Sequence, residues 1–204
     1  MFFSIDGGDG AGKTTQVALF TDWLGGLGHE VVTCRDPGSS RLGEAVRELV
    51  LNRADLPIGR CSEMLLYMAA RAQLTEELIR PALQAGKVVV SDRYLLANVV
   101  YQGYGGGLDV QTLWEVGRVA TGGLLPDLTI VLDLAPEAAA ARMRRQRDRM
   151  EMQGDAFCAR VREGFLQEAA RRPGQIAVVD ASRSVEQVQA AIRRAAERVL
   201  KDER

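Results

Sequence analysis

Eight residues near the start of the chain, Gly7-Gly8-Asp9-Gly10-Ala11-Gly12-Lys13-Thr14, fit G-x-x-x-x-G-K-[ST] in full. Such a loop needs a strand before it and a helix after it, because inward-turned backbone N–H groups and a helix N-terminus together cradle a phosphate. Both neighbours are present. Phe2-Phe3-Ser4-Ile5 reads as the strand, and Thr15 to Phe20 with Trp23-Leu24 as a helix carrying apolar residues at helical spacing. The pattern predicts a nucleoside triphosphate site at Gly7, Gly8, Asp9, Gly10, Ala11, Gly12, Lys13, Thr14 and Thr15, with Lys13 on the outer phosphates and the Thr14 hydroxyl on Mg²⁺. The competing reading, a glycine-rich βα turn with no ligand, leaves the Lys-Thr pair unexplained.

The alternation of strand and helix continues along the chain. Glu30 to Cys34 reads as a short buried strand, Arg35 to Ser40 as a Pro/Gly loop, and Leu42 to Asn52 and Ser62 to about Ile79 as helices. Lys87 to Ser91 forms a third strand ending at Asp92, Gly103 to Gly107 a flexible loop, Val110 to Ala120 a helix, and Leu128 to Leu134 a fourth strand. Pro136 suits a first helical turn, Asp155 to Arg171 a helix, Ile176 to Asp180 a fifth strand, and Val185 to Leu200 a last helix. Strand runs without polar alternation imply burial on both faces, hence an α/β fold with a five-stranded parallel sheet flanked by helices on both faces.

At 204 residues one domain spanning 1–204 is expected. A net charge of −1 points to no nucleic-acid polymer as partner. Cys34, Cys61 and Cys158 are widely spaced and odd in number, which fits a reducing compartment and neither a disulfide framework nor a zinc site. With no leader segment and no apolar stretch of the roughly 20 residues a bilayer needs, a cytoplasmic protein without membrane contact is expected.

A phosphate loop alone admits ATPases, GTPases, kinases and passive sensors, so the second ligand must be sought at the other strand ends. Those ends carry Arg35-Asp36-Pro37-Gly38 and Asp92-Arg93-Tyr94. With Tyr101-Gln102-Gly103-Tyr104-Gly105 and Pro126-Asp127-Leu128-Thr129, these ordered stretches resemble the thymidylate kinases through nearly the whole chain. The resemblance implies a P-loop nucleoside monophosphate kinase fold, transfer of the ATP γ-phosphoryl group to dTMP with Mg²⁺, and a homodimer. The residue types suit that chemistry, since the acceptor phosphate has a second pKa of about 6 and no general base has to act. A missing catalytic His or Cys is then expected, and the lone His29 is a bystander.

By resemblance, Arg93 bridges the acceptor phosphate and the transferring group, Asp92 holds Mg²⁺ with Thr14, and Asp9 approaches the sugar 3′-OH. For Asp92-Arg93 the alternative is a surface ion pair. Asp36 stands where the family usually has Glu, and Ser39-Ser40 where it has Gly-Thr. Tyr67 and Arg71, at i, i+4 on one helix face, correspond to the aromatic that stacks on thymine and the arginine that bonds its O4. Periodicity alone favours a core Tyr with an exposed Arg, and the family resemblance reverses that order. Tyr101 would disfavour a ribose hydroxyl, and Asn98 and Gln102 would meet the base edge; Leu96, Ala97 and Val100 depart from the family pattern beside them.

The run from Arg142 to Glu151 resembles the family's lid, at about 142–153, in its arginine-bearing bacterial form, with Arg147 and Arg149 as the arginines that reach the transferring group. A solvated helix face is the plainer alternative. Val179-Asp180-Ala181-Ser182 resembles the loop bordering adenine. Two other readings stay open: a monophosphate kinase with another base preference, and a nucleotide switch, against which the chain has no Asn-Lys-x-Asp motif.

Overall fold

The computed structural model describes residues 1–53, 55–142 and 153–202. Five parallel strands make the sheet, β1 (Phe2–Gly7), β2 (Val31–Arg35), β3 (Val88–Asp92), β4 (Leu128–Asp133) and β5 (Ile176–Asp180), in the order β2-β3-β1-β4-β5. From β1 the chain runs out to β2, returns through β3, and crosses β1 to β4. The order therefore reverses around β1, and parallel sheets bind ligands outside the carboxyl ends of the strands at such a point.

Strand burial follows the pleat. Phe3, Ile5, Val88 and Val90 point into one core with Phe20 and Leu24 of α1 (Lys13–Gly26) and Ile192 of α9 (Val185–Asp202). Phe2 and Val89 point the other way, onto Tyr94, Leu95 and Leu113. Edge-on aromatic contacts lock both faces, Phe3 to Phe20 at 5.3 Å and Phe2 to Tyr94 at 4.9 Å between centroids. The outer strands β2 and β5 are only partly buried, because each has a neighbour on one side alone.

On the β2 side lie α2 (Arg41–Asn52), α3 (Arg60–Leu74), a π-helical turn at Thr75–Ile79, and α4 (Arg80–Gln84). Ser40 caps α2 by accepting from the Gly43 N–H, and Asp109 caps α6 (Val110–Thr121) through the Thr112 N–H. α7 (Pro136–Arg142) and α8 (Asp155–Arg171) follow β4. The chain also departs from its sequence reading at Gly103 to Gly107. There α5 (Leu95–Asn98) continues into a π-helical segment, Val99–Gly105. The glycines serve packing: a Cβ on Gly105 would lie 2.6 Å from the Phe157 ring, and one on Gly103 2.9 Å from Leu113. Neighbouring helices close on the segment where a loop was expected.

Candidate functional site

Gly7, Gly10 and Gly12 all have positive φ, and the loop they shape is pressed against β4 and α7. A Cβ at Gly7 would meet the Leu132 carbonyl at 2.6 Å, and one at Gly10 the Ala139 carbonyl at 2.7 Å. Lys13 is buried at the base of this loop, its Nζ donating to the Gly8 carbonyl at 2.8 Å and the Gly7 carbonyl at 3.3 Å. Burial first, and then the Arg93 charge, push the Lys13 ammonium down to about 8, against the pull of Asp9 at 3.8 Å. Thr14 Oγ1 donates to Asp92 Oδ2 at 3.5 Å across the gap between β1 and β3.

Arg93 follows directly on β3 with φ 69°, left-handed for a residue other than glycine. Its N–H donates to the Ile5 carbonyl, and its guanidinium turns back over β1 to the Gly7 carbonyl at 2.9 Å and to Asp9. Tyr101 lies under that guanidinium, 5.0 Å from its ring centroid, and donates to Asp9 Oδ2 at 2.9 Å. Burial above all raises the Tyr101 phenol well above its usual range, so it remains a donor. The expected acid in the phosphate loop is thus neutralised by the cations and phenol around it. Arg93 pairs with Asp9 inside the cleft, so the surface pair with Asp92 is not what forms.

Two chambers meet at this point. The larger, about 1,700 Å³ and open to solvent, runs along the phosphate loop to Ala181, Ser184 and Val188, with Arg142 donating to the Ala181 carbonyl at 3.0 Å. The expected adenine border is therefore placed at one end of the loop's chamber. The smaller, about 590 Å³, is lined by Tyr67, Arg71, Asn98, Tyr101 and Gln102. Asp9, Asp36, Arg47 and Arg93 line both.

Arg71 is 1% exposed, which removes the reading of an exposed arginine beside a core tyrosine. Its Nε donates to Asp36 Oδ2 at 2.5 Å and its Nη1 to Asn98 Oδ1 at 2.9 Å. The shorter Asp side chain still reaches the cavity wall. Burial raises the Asp36 carboxyl pKa while Arg71 opposes the shift, and Asp36 Oδ1 is buried there without a protein partner. All of Asp9, Asp36, Tyr67, Arg71, Arg93, Asn98, Tyr101 and Gln102 come together around one cavity. Ala97, which departs from the family pattern, lines it too.

Arg47 of α2 was not anticipated from the sequence. It donates to the Pro37 carbonyl at 3.1 Å and stands where the chambers join. On an amphipathic helix it reads as one more surface arginine, and only the fold of the Asp36-Pro37 loop brings it inward. Arg147 and Arg149 of the expected lid lie outside the described residues. His29 sits in the turn before β2, at the opposite end of the strands. A further cavity of about 750 Å³, behind Tyr101 and Asp9, is lined mainly by apolar groups. Its arginine, Arg162, is tied to Asp133 at 2.7 and 2.9 Å, so that space suits no phosphate.

Among the described residues no cluster of three or more His, Cys, Asp or Glu side chains could hold a metal. The donors facing the phosphate path are the Thr14 hydroxyl and the Asp92 carboxylate, hard oxygens in a small number. That set fits Mg²⁺, which keeps several waters and takes its remaining ligands from phosphates.

The chain is similar to known proteins over nearly its whole length. Residues 5–192 match the thymidylate kinase family. A thymidylate kinase of Symbiobacterium thermophilum is 45% identical over 201 residues, covering 98% of this chain and 94% of that protein. One of Clavibacter michiganensis subsp. michiganensis is 46% identical over 203 residues, covering 98% and 96%. The crystal structure of thymidylate kinase from Ehrlichia chaffeensis superposes with a TM-score of 0.80 at 29% identity, covering 97% of this chain and 98% of that one. With the phosphate loop, the second chamber and these matches in agreement over nearly its full length, the chain belongs to the thymidylate kinase family.

Proposed function

We infer that this protein phosphorylates dTMP, transferring the γ-phosphoryl group of ATP to give dTDP and ADP. The observation that carries this reading is the shared wall of the two chambers, Asp9, Asp36, Arg47 and Arg93, on either side of which two nucleotides would lie end to end. In such a site the chemistry needs in-line positioning and charge neutralisation, because the acceptor phosphate oxygen is already largely ionised at neutral pH. Lys13 neutralises charge on the transferring phosphates, and Arg93 and Arg47 reach both the acceptor phosphate and that group. Arg147 and Arg149 are assigned the same task from the lid. Tyr67 and Arg71 hold the thymine, Asn98 and Gln102 its edge, and Tyr101 with Asp9 the sugar.

Thr14 and Asp92 would hold Mg²⁺, which when bound offsets phosphate charge. We assign the whole chain to one catalytic domain working as a cytoplasmic homodimer. Leu65 on α3 and Val119 on α6 are exposed apolar side chains that a second copy would cover, and among the described residues no helix is long and apolar enough to cross a membrane. Light scattering on the purified protein reads its mass directly.

An ADP-release assay with ATP, Mg²⁺ and dTMP, dUMP, dCMP, dGMP or ribothymidine monophosphate tests the function. Turnover is expected to be highest with dTMP. Preference for another nucleotide would overturn the substrate assignment, and absence of any nucleotide-stimulated ADP would overturn the reaction.

A further inference from the structure

The polar side chains around the smaller chamber form one directed relay. Asp36 accepts from Arg71 at 2.5 Å, Arg71 donates to Asn98 Oδ1 at 2.9 Å, Asn98 Nδ2 donates to Gln102 Oε1 at 2.7 Å, and Gln102 Nε2 donates to Glu63 Oε1 at 2.9 Å. All five residues are buried.

Taken singly, each amide fits its space equally well with oxygen and nitrogen exchanged. The ends of the relay remove that freedom. A guanidinium carries only donors and a carboxylate only acceptors, so Arg71 must take the Asn98 oxygen and Glu63 must take the Gln102 nitrogen. Between them, the Asn98 nitrogen meets the Gln102 oxygen, whose second lone pair is left for a ligand.

We propose that Glu63, which stands behind the chamber and not on its wall, is a positioning residue for base selection. By holding the Gln102 amide in one orientation it keeps an acceptor beside the Arg71 donor. That pair matches a ring N–H next to a carbonyl, the edge of thymine. It opposes the bare ring nitrogen next to an amine that cytosine presents. The inference rests on the smaller chamber being the thymine site.

The test compares kcat/KM for dTMP with that for 5-methyl-dCMP, which differ only at ring positions 3 and 4. Both are measured on one preparation, so the folded fraction cancels in the ratio. In Glu63→Lys the group behind Gln102 can only donate, which draws the Gln102 oxygen away from Asn98 and off the wall, and the ratio should fall by roughly tenfold, the worth of a hydrogen bond made or missed in a buried site. The double variant Glu63→Lys/Gln102→Glu puts an acceptor-only group back on the wall with a donor behind it, and should return the ratio toward wild type. If Glu63→Lys does not fold, the double variant against wild type carries the same comparison, a restored preference supporting the role and a lost one overturning it. An unchanged ratio in Glu63→Lys also overturns it, as does a wild-type enzyme that uses dTMP and 5-methyl-dCMP alike. A wild type that uses neither would instead overturn the assignment of the chamber.

Discussion

Asp36→Asn removes one charge from a buried pair and changes almost no volume. Arg71 and Asp36 are 1% and 0% exposed at the side chain and 2.5 Å apart. At an effective dielectric of about 20, two charges about 4 Å apart attract by ~4 kcal/mol, and breaking a buried pair from one side typically costs about 3–5 kcal/mol. Arg71 keeps three other acceptors, Asn98 Oδ1, the Met68 sulfur at 3.2 Å and the Tyr94 carbonyl at 3.4 Å, which puts the cost near the low end, ~3 kcal/mol. The new amide adds to it: with its oxygen toward Arg71, its NH₂ occupies the place of Asp36 Oδ1, which is buried without a protein partner. For a chain of this size each kcal/mol moves Tm by about 2–4 °C, so a fall of about 6–12 °C is expected by calorimetry. The companion variant Asp36→Asn/Arg71→Met, with neither charge of the pair left, should recover part of that loss. A Tm for Asp36→Asn within about 2 °C of wild type would refute the argument, as would a double variant whose loss is the sum of the two singles.

The Lys13 ammonium, held down to about 8 in the unliganded cleft, should lose its charge as pH rises through that value. Bound phosphates favour the charged form, so ATP affinity should be full below pH 8 and weaken above it by a factor approaching tenfold per unit. Calorimetric titrations in two buffers would show proton uptake on binding at pH 9, and pH-independent affinity from 7 to 9.5 would contradict this. Lys13→Ala should lower turnover by about 10²–10³-fold while thermal stability holds or improves, since a buried cation is removed; near-normal turnover excludes its role. Tyr101→Ala should erode the preference for dTMP over ribothymidine monophosphate and, by opening the partition between the chamber and the apolar cavity behind it, cost about 3–5 kcal/mol. Unchanged sugar selectivity would place the gate elsewhere. Glu168, buried, receives Tyr104, Trp114, Arg171 and Arg172, and an amide cannot accept from so many donors. Glu168→Gln should therefore lower stability by roughly two charged hydrogen bonds, ~3–5 kcal/mol by denaturant unfolding, and a loss below 1 kcal/mol would show the cluster to be slack.

What the sequence discloses here depends on how local each cause is. The phosphate loop was legible because strand, glycines, Lys13 and Thr14 are contiguous, and each has its own reason for being there. The Tyr67 and Arg71 pair was half legible: helical spacing put both on one face, and only the placement of Asp36 and Asn98 decided that the face is inward. Gly103 to Gly107 misled because glycine signals either freedom or close approach, and Phe157, which decides between them, comes more than fifty residues later. Glu63 and Glu168 sit at positions where helices ordinarily carry solvated acids. Their partners, Gln102 in one case and Tyr104 with Trp114 in the other, come from other elements, so no window of sequence exposes them.

The strained residue in the cleft shows why distant placement matters to the chemistry. An extended backbone at position 93 would continue β3 and send the side chain to one face of the sheet, away from the loop that follows β1. The left-handed turn at φ 69° swings the guanidinium sideways over the strand end, at a cost of about 1–3 kcal/mol for a residue that is not glycine. Besides the Asp9 pair and the Tyr101 ring, three contacts to backbone groups hold it there: the Arg93 N–H on the Ile5 carbonyl at 3.0 Å, the Ser91 hydroxyl on the Arg93 carbonyl at 2.6 Å, and the guanidinium on the Gly7 carbonyl. Two of them run to β1, the strand that carries the phosphate loop, so the arginine and the loop are fixed to one frame. Lys13 is fixed to that frame as well, through the Gly7 and Gly8 carbonyls. With the roles proposed for Lys13 and Arg93, an arriving phosphate would meet cations already in position and exchange with carbonyl and Asp9 oxygens for them, leaving little reorganisation for the moment of transfer.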